Sequence, residues 1–203
     1  MQIHAVIASS LVNGPGRRSV LFFQGCSIQC PGCQNPKTHK RGPGECLSAL
    51  ELAAWVKAQP DIEGVTFSGG EPLEQLDDGL DMLAYELKQA GLSVGLFTGY
   101  TEKELEAGNF RWTGGSNDRA PKYKKAEAWK WLKGQLDWAV MGRYNQLERS
   151  SEPMVASRNQ KLVIFNDRYD AGDFAEQKVE LIISGQTGKA VITGFPQGEL
   201  CAQ

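Results

Sequence analysis

The sequence predicts one α/β domain built on a parallel sheet, with its functional loops at one edge. Three observations support this prediction. Apolar runs alternate along the chain with amphipathic helical patterns, an order that favours parallel strands joined by right-handed crossovers. The 203 residues, 41% of them hydrophobic, are enough to bury one sizeable core. Unusual loops directly follow three of the predicted strands. We therefore expect one domain over residues 1–203, with its functional loops at one edge of the sheet.

Three short apolar runs predict the strands. VLFF at residues 20–23 is typical of a buried strand, and GVTF at 64–67 and SVGLF at 93–97 follow it. Because helical segments separate these runs, the strands are expected to lie parallel and to end at a common edge.

Capping signals predict the helices between and after these strands. Ser48 and Glu51 form a capping box at the start of LSALELAAWVKAQ. Residues 78–90 form a second amphipathic pattern that stops at a glycine. Thr101 and Glu104 form the cap of a third helix.

The loop after the first strand, GCSIQCPGCQNP, places Cys26, Cys30 and Cys33 within eight residues. In a reducing compartment such a cluster indicates metal binding or catalysis rather than a disulfide framework. Zinc usually requires four ligands, and His39 is the nearby histidine that could complete the set. Three thiolates can also hold an iron-sulfur cluster with one iron left open. Both interpretations stand on the residues alone.

The overall charge and hydropathy favour a cytoplasmic protein. A net charge of -2 gives no bulk attraction to nucleic acid or anionic lipid. The first residues, MQIHAVIASSLVNGPG, do not resemble a signal peptide, and no apolar run approaches the roughly 18 residues of a membrane span. We expect neither a membrane nor a nucleic-acid partner. Cys46 and Cys201, which stand apart, are interpreted as packing or incidental thiols.

Two further loops follow the second and third strands. SGGEP follows GVTF, and TGY follows SVGLF. Because parallel strands end at one edge of a sheet, these loops and the cysteine loop are expected to converge there. The residues that they bring to this edge are Gly69, Gly70, Glu71, Pro72, Thr98, Gly99 and Tyr100.

The combination of C-x3-C-x2-C with GGEP resembles the radical S-adenosylmethionine superfamily. A longer set, VNGPGRRSVLFFQGCSIQCPGCQNPKTH, SGGEP, FTGY, LDWAVMGRY and SRNQ, is similar to the anaerobic ribonucleotide reductase activating protein and other glycyl-radical-enzyme activases. This resemblance extends from Val12 to Gln160. It implies a shortened, open (β/α) partial barrel of parallel strands over about residues 1–165. It also implies a 4Fe-4S cluster and S-adenosylmethionine as cofactors.

The same resemblance assigns roles to individual residues. Cys26, Cys30 and Cys33 would hold the cluster. Gly69 and Gly70 would admit the methionine amino group of the cofactor. A bulky side chain at Gly70 would then block the cofactor and spare the cluster. The rest of the implied cofactor site is Glu71, which helps fix the amino group, Pro72, which shapes the turn, and Thr98, Gly99 and Tyr100, which border the cofactor.

Two segments are implied to meet the substrate. The NGPG turn, formed by Asn13, Gly14, Pro15 and Gly16, resembles the segment that meets the substrate backbone in the activases. Asn159 and Gln160, in SRNQ, form the other candidate contact. Taken without the resemblance, both segments could be ordinary surface loops.

The chain departs from the activases in four places. Met141 stands where these proteins usually carry an acidic residue, and Phe97 stands where some supply an aspartate to a cation site, so that site is not expected. A Lys- and Trp-rich insertion covers about residues 108–135. A C-terminal extension over about residues 168–203 contains KVELIISGQTGKAVITGF, at 178–195, which predicts a β-hairpin with a Gly-containing turn.

The insertion predicts a short helix, AEAWKWLK, beginning near Pro121. One interpretation is that it buries its tryptophans and leaves its lysines in water. The other is that it covers the active site or docks an acidic partner through Lys122, Lys124 and Lys125.

Three classes of function follow from these patterns. The first is an activase that installs a glycyl radical on a separate large enzyme, with flavodoxin or ferredoxin as the electron donor. The second is a radical enzyme that modifies a peptide or a small molecule. The third is a non-catalytic iron-sulfur or zinc protein, against which the GGEP turn argues.

Overall fold

The computed structural model describes residues 1–42, 44–112, 118–174, 178–183 and 190–195. Nine strands lie in these ranges: β1 (Gln2–Ser10), β2 (Arg18–Phe23), β3 (Glu45–Cys46), β4 (Gly64–Gly69), β5 (Ser93–Thr98), β6 (Trp138–Met141), β7 (Lys161–Ile164), β8 (Val179–Ile183) and β9 (Ala190–Gly194). The α-helices are α1 (Ala49–Lys57), α2 (Leu80–Gln89), α3 (Glu102–Glu106) and α4 (Lys122–Lys133). Short 3₁₀ segments cover Pro36–Thr38, Pro72–Asp78, Gln146–Glu148 and Ala171–Asp173.

The first seven strands form one sheet in the order β3-β1-β2-β4-β5-β6-β7. The four central strands β2, β4, β5 and β6 are parallel, which confirms the predicted α/β class. The outer strands β1, β3 and β7 are antiparallel to their neighbours, which the sequence reasoning did not anticipate. For β1 and β2 the reason is the short connection, residues 11–17, because parallel strands need a longer crossover.

The sheet separates two apolar clusters. On one face, α1, α2 and α4 cover a core in which Ala139 and Met141 of β6 take part. On the other face, Trp138 and Val140 pack with residues from the later loops and with Phe195 beside β9. This alternation follows from the strand period of two. The site described below lies at the carboxyl edge of this sheet.

The capping predictions are confirmed. Ser48 and Glu51 form a reciprocal capping box at α1, and Thr101 and Glu104 form another at α3. The N-cap residue of α4 is Pro121, near the predicted start.

The expectation that α4 buries its tryptophans and leaves its lysines in water is only half right. Trp129 is buried, but Trp131 is 46% exposed and its ring lies 6.0 Å from that of Tyr85. Lys125 is buried, pairs with Asp118 at 2.7 Å and donates to a backbone carbonyl at 2.9 Å. Lys125 is therefore a structural residue, because its ammonium group is already satisfied inside the protein.

The predicted C-terminal hairpin is present as β8 paired with β9. Its predicted Gly-containing turn, at residues 184–189, lies outside the described residues, as does Cys201. Cys46 is exposed, so it is not a packing thiol. No helix in the described ranges is long and apolar enough to cross a membrane.

Candidate active site

Three loops meet at the carboxyl ends of β2, β4 and β5. The register pairs Phe23 with Gly69, so β2 and β4 end side by side. The Gly70 N–H donates to the Phe23 carbonyl at 2.8 Å, and the Glu71 N–H donates to the Gly25 carbonyl at 2.9 Å. These bonds fasten the GGEP turn to the start of the cysteine loop.

A cavity of about 190 Å³ opens at this edge. Its wall contains all three loop cysteines together with residues of both turns. Among the residues expected to form the site, those that line the cavity are Cys26, Cys30, Cys33, Gly69, Gly70, Glu71, Thr98, Gly99, Asn13 and Gln160. Residues separated by more than a hundred positions thus share one cavity.

The thiols of the cysteine loop are partly buried. Burial raises the pKa of Cys26 to about 12, with a further increase from the nearby Glu71 carboxylate. Burial likewise raises the pKa of Cys33. In the metal-free chain these thiols therefore keep their protons at neutral pH, and a bound metal would displace them.

Glu71 joins the two turns. It is buried, and its carboxylate accepts hydrogen bonds from the Gly99 N–H at 2.8 Å, the Thr98 hydroxyl at 2.9 Å and the Leu73 N–H at 3.2 Å. Burial nevertheless raises its pKa to about 8. Through these hydrogen bonds the Glu71 side chain holds the loops after β4 and β5 together, a role that the sequence reasoning did not foresee.

The backbone around Gly70 leaves no room for a side chain at this position. A Cβ at this position would collide with the carbonyl of Gly25, directly before Cys26. The expectation that a larger residue would block only the cofactor is therefore revised, because it would first push the cysteine loop away.

Glu74 is a residue of the site that sequence reasoning missed. It is fully buried, accepts a hydrogen bond from the Ser27 N–H at 3.0 Å and another from the Ser27 hydroxyl, and pairs with Arg41 at 2.9 Å. It fixes the loop next to Cys26. Nothing in its position two residues after GGEP indicated this long-range contact.

The NGPG turn is not an ordinary surface turn. Asn13 is only 6% exposed and lines the cavity. The buried guanidinium of Arg18 donates to the Pro15 carbonyl at 2.5 Å and lies 5.3 Å from the ring centre of Trp138. Gly14 packs against both of these side chains, leaving no room for a Cβ.

The remaining candidates lie around the cavity rather than in its wall. Tyr100 borders a second cavity with Cys30 and Arg143. Asn159 is exposed and donates to the Arg143 carbonyl at 2.7 Å. The candidates outside the main cavity wall are Gly14, Pro15, Gly16, Pro72, Tyr100 and Asn159.

The C-terminal hairpin reaches the cavity, a contribution that the sequence reasoning raised for a radical enzyme that modifies a peptide or a small molecule. Its contribution to the wall consists of Ile192, Thr193, Gly194 and Phe195. The ring of Phe97 lies 6.1 Å from that of Phe195 and 5.7 Å from that of Trp138. The apolar Phe97 therefore serves the packing of the hairpin onto the sheet. Met141 points to the opposite face and belongs to the helix-covered core.

The donor chemistry of the cavity fits an iron-sulfur cluster and a cofactor beside it. Three thiols share its wall, and the buried Nε2 of His39, also in the wall, has no hydrogen-bond partner. A Cβ at Gly99 would fill space next to Ile28. Among the described residues, no three side chains of His, Cys, Asp or Glu form a site for a single metal ion.

Comparison with known proteins agrees with this geometry. Residues 12–163 match the family described as "4Fe-4S single cluster domain". The chain is 40% identical over 102 residues to the pyruvate formate-lyase-activating enzyme of Clostridium pasteurianum, covering 48% of this chain and 42% of that protein. It is 31% identical over 114 residues to the anaerobic ribonucleoside-triphosphate reductase-activating protein of Escherichia coli, covering 53% of this chain and 74% of that protein.

The chain belongs to the 4Fe-4S single cluster domain family. Its resemblance to the activating proteins of the radical S-adenosylmethionine superfamily is confirmed, and a 4Fe-4S cluster with S-adenosylmethionine is the cofactor set of this family. The match spans less than half the length of the pyruvate formate-lyase-activating enzymes, 33% for that of Listeria monocytogenes.

Proposed function

We propose that this protein is a radical S-adenosylmethionine enzyme that activates a glycyl-radical enzyme. When bound, the cluster and the cofactor supply a 5'-deoxyadenosyl radical that takes a hydrogen atom from the substrate. The observation that carries the proposal is the single cavity shared by three cysteines, the GGEP turn and the TGY turn.

The proposal assigns a role to the residues of the three loops. Cys26, Cys30 and Cys33 hold the cluster, and Glu74 and Arg41 fix the loop that carries them. The main-chain groups of Gly69 and Gly70, together with the Glu71 carboxyl group, would hold the amino group of the cofactor. Thr98 and Gly99 keep that carboxyl group in place through their hydrogen bonds to it.

The proposal also includes the partial-barrel architecture, the protein substrate and the electron donor. The parallel strands β2, β4, β5 and β6 form the open partial barrel of one domain, residues 1–165, to which the insertion and the hairpin are added. The substrate is a separate glycyl-radical enzyme, and flavodoxin or ferredoxin donates the electron in the cytoplasm.

The test has two stages. Anaerobically reconstituted protein with dithionite and S-adenosylmethionine should release 5'-deoxyadenosine and methionine. Adding anaerobic ribonucleoside-triphosphate reductase, or pyruvate formate-lyase in a parallel sample, should produce a glycyl-radical signal in electron paramagnetic resonance. Protein that carries the cluster but leaves the cofactor intact would contradict the proposal, and Cys30→Ala serves as the inactive control.

A radical enzyme that modifies a peptide or small molecule is the second candidate. The hairpin residues favour it, because they line the same cavity as the three cysteines and so add to its wall. Cofactor cleavage without radical transfer to either glycyl-radical enzyme would support this alternative.

A further inference from the structure

The C-terminal hairpin is joined to the site by side chains rather than by sheet pairing. Within the described residues, β8 and β9 pair with each other and not with the seven-stranded sheet. Thr193 of β9 is 6% exposed, and its hydroxyl accepts a hydrogen bond of 2.9 Å from the Asn13 side-chain amide. Phe195 packs among aromatic residues on the same side of the sheet. The hairpin is therefore held by apolar packing as well as by the hydrogen bond from Asn13 to Thr193.

The Asn13 amide is held from two sides. Its nitrogen donates to the Ser10 hydroxyl at 2.8 Å as well as to Thr193. Its backbone carbonyl accepts from the Thr66 hydroxyl at 2.7 Å, so the residue is fixed at both ends. With both amide hydrogens engaged, the amide oxygen is the group that Asn13 can offer to a ligand in the cavity.

We propose that Thr193 is a positioning residue of the substrate site. Its hydroxyl holds the Asn13 amide in the orientation that presents the amide oxygen to a backbone N–H of a polypeptide substrate. The inference rests on the proposed function, and it makes the hairpin a working part of the site. An amide oxygen accepts from an N–H donor, which every residue of a polypeptide except proline supplies along its main chain.

The orientation depends on Thr193 for a physical reason. The terminal torsion of asparagine has broad minima, so the amide turns unless hydrogen bonds restrain it. Removing one of its two hydroxyl partners leaves one restraint and allows the amide to turn its oxygen away. Losing one oriented hydrogen bond to the substrate corresponds to about a tenfold loss of affinity.

Thr193→Val tests the proposal, because valine keeps the shape and removes the hydroxyl. The substrate is whichever glycyl-radical enzyme the wild-type protein activates. We expect Thr193→Val to raise KM for that enzyme about tenfold with kcat within about twofold of wild type. Thr193→Ser, which keeps the hydroxyl, should restore KM. Ser48→Ala removes a cap of α1 far from the hairpin and should leave KM unchanged while lowering stability.

A second measurement needs no cofactor. In cluster-free protein, the side-chain amide of Asn13 should exchange its hydrogens slowly by nuclear magnetic resonance, faster in Thr193→Val, and slowly again in Thr193→Ser. An unchanged KM in Thr193→Val overturns the inference, as does an equal rise in both variants, which would indicate packing alone. Both results would leave wild-type cofactor cleavage intact. Failure of that cleavage would instead defeat the proposed function, and the inference with it.

Discussion

Replacing Glu71 by glutamine should remove a specific pH dependence of stability. Burial raises the pKa of this carboxyl from 4.5 to about 8. Between these values the folded protein keeps a proton that the unfolded chain has released. Folding stability therefore falls as the pH rises through this interval, and most of that loss is complete near pH 8. Glutamine cannot titrate, so Glu71→Gln should lack this part of the loss.

The size of the effect follows from the two pKa values. With 4.5 unfolded and about 8 folded, the free energy of unfolding of wild type should fall by about 2.5 kcal/mol more than that of Glu71→Gln between pH 5.5 and 7.5. The groups whose pKa is lowered, such as Glu51 and Glu104, titrate below this window. Cys26, with a pKa near 12, titrates above it.

Urea denaturation of cluster-free protein under reducing conditions measures this difference at several pH values. The substitution puts an amide NH2 donor in place of one of the two oxygens that accept hydrogen bonds from Leu73, Thr98 and Gly99, so Glu71→Gln is expected to be less stable than wild type at pH 5.5. The informative quantity is therefore the change with pH, not the offset. Glu51→Gln is the matched control, because this exposed carboxyl should leave the curve parallel to wild type. Parallel curves for wild type and Glu71→Gln would refute the reasoning.

Three further changes test the site and the insertion. Cys30→Ala should lose the reconstituted 4Fe-4S cluster, measured as iron and sulfide, because two thiolates hold it poorly. Gly70→Val should lower cluster content as well as cofactor cleavage, since its side chain meets the Gly25 carbonyl. Lys125→Ala should lower the free energy of unfolding by about 3 kcal/mol in a denaturant titration, whereas Lys124→Ala should change it by less than about 0.5.

For each of these three substitutions, a control or a specific result would contradict the expectation. Cys46→Ala, at an exposed thiol outside the cavity, should keep the full cluster, and a loss there would question the assignment of the three loop cysteines. A Gly70→Val protein with a normal cluster and no cofactor cleavage would instead support the expectation that a bulky side chain at this position blocks only the cofactor. Equal stability of Lys124→Ala and Lys125→Ala would contradict the buried ion pair.

Fewer lysines of α4 are available for docking a partner than the sequence suggested. Lys122 and Lys124 are exposed, as an encounter with an acidic partner requires, but Lys125 is already paired inside the protein. A docking test by substitution should therefore leave Lys125 intact, because its loss would mix destabilisation with weakened binding.

Local patterns in the sequence were sufficient for the central part of the fold. The apolar runs of β2, β4 and β5, with capped helices between them, predict parallel strands, because a crossover helix returns each strand to the same direction. Parallel strands end at one edge, so the meeting of the cysteine loop with the GGEP and TGY turns was also predictable. The spacing of the three cysteines indicated metal binding or catalysis, with zinc and an iron-sulfur cluster both open on the residues alone.

Only the tertiary structure decided which distant residues complete the site. The buried Glu74 reaches Ser27, and Thr193 reaches Asn13 across 180 positions, through contacts that leave no periodic signal along the chain. The raised pKa of Glu71 is likewise invisible in the sequence, because it arises from burial by residues of separate strands. Short-range patterns record local backbone preference, whereas burial and long-range hydrogen bonds depend on how the whole chain packs.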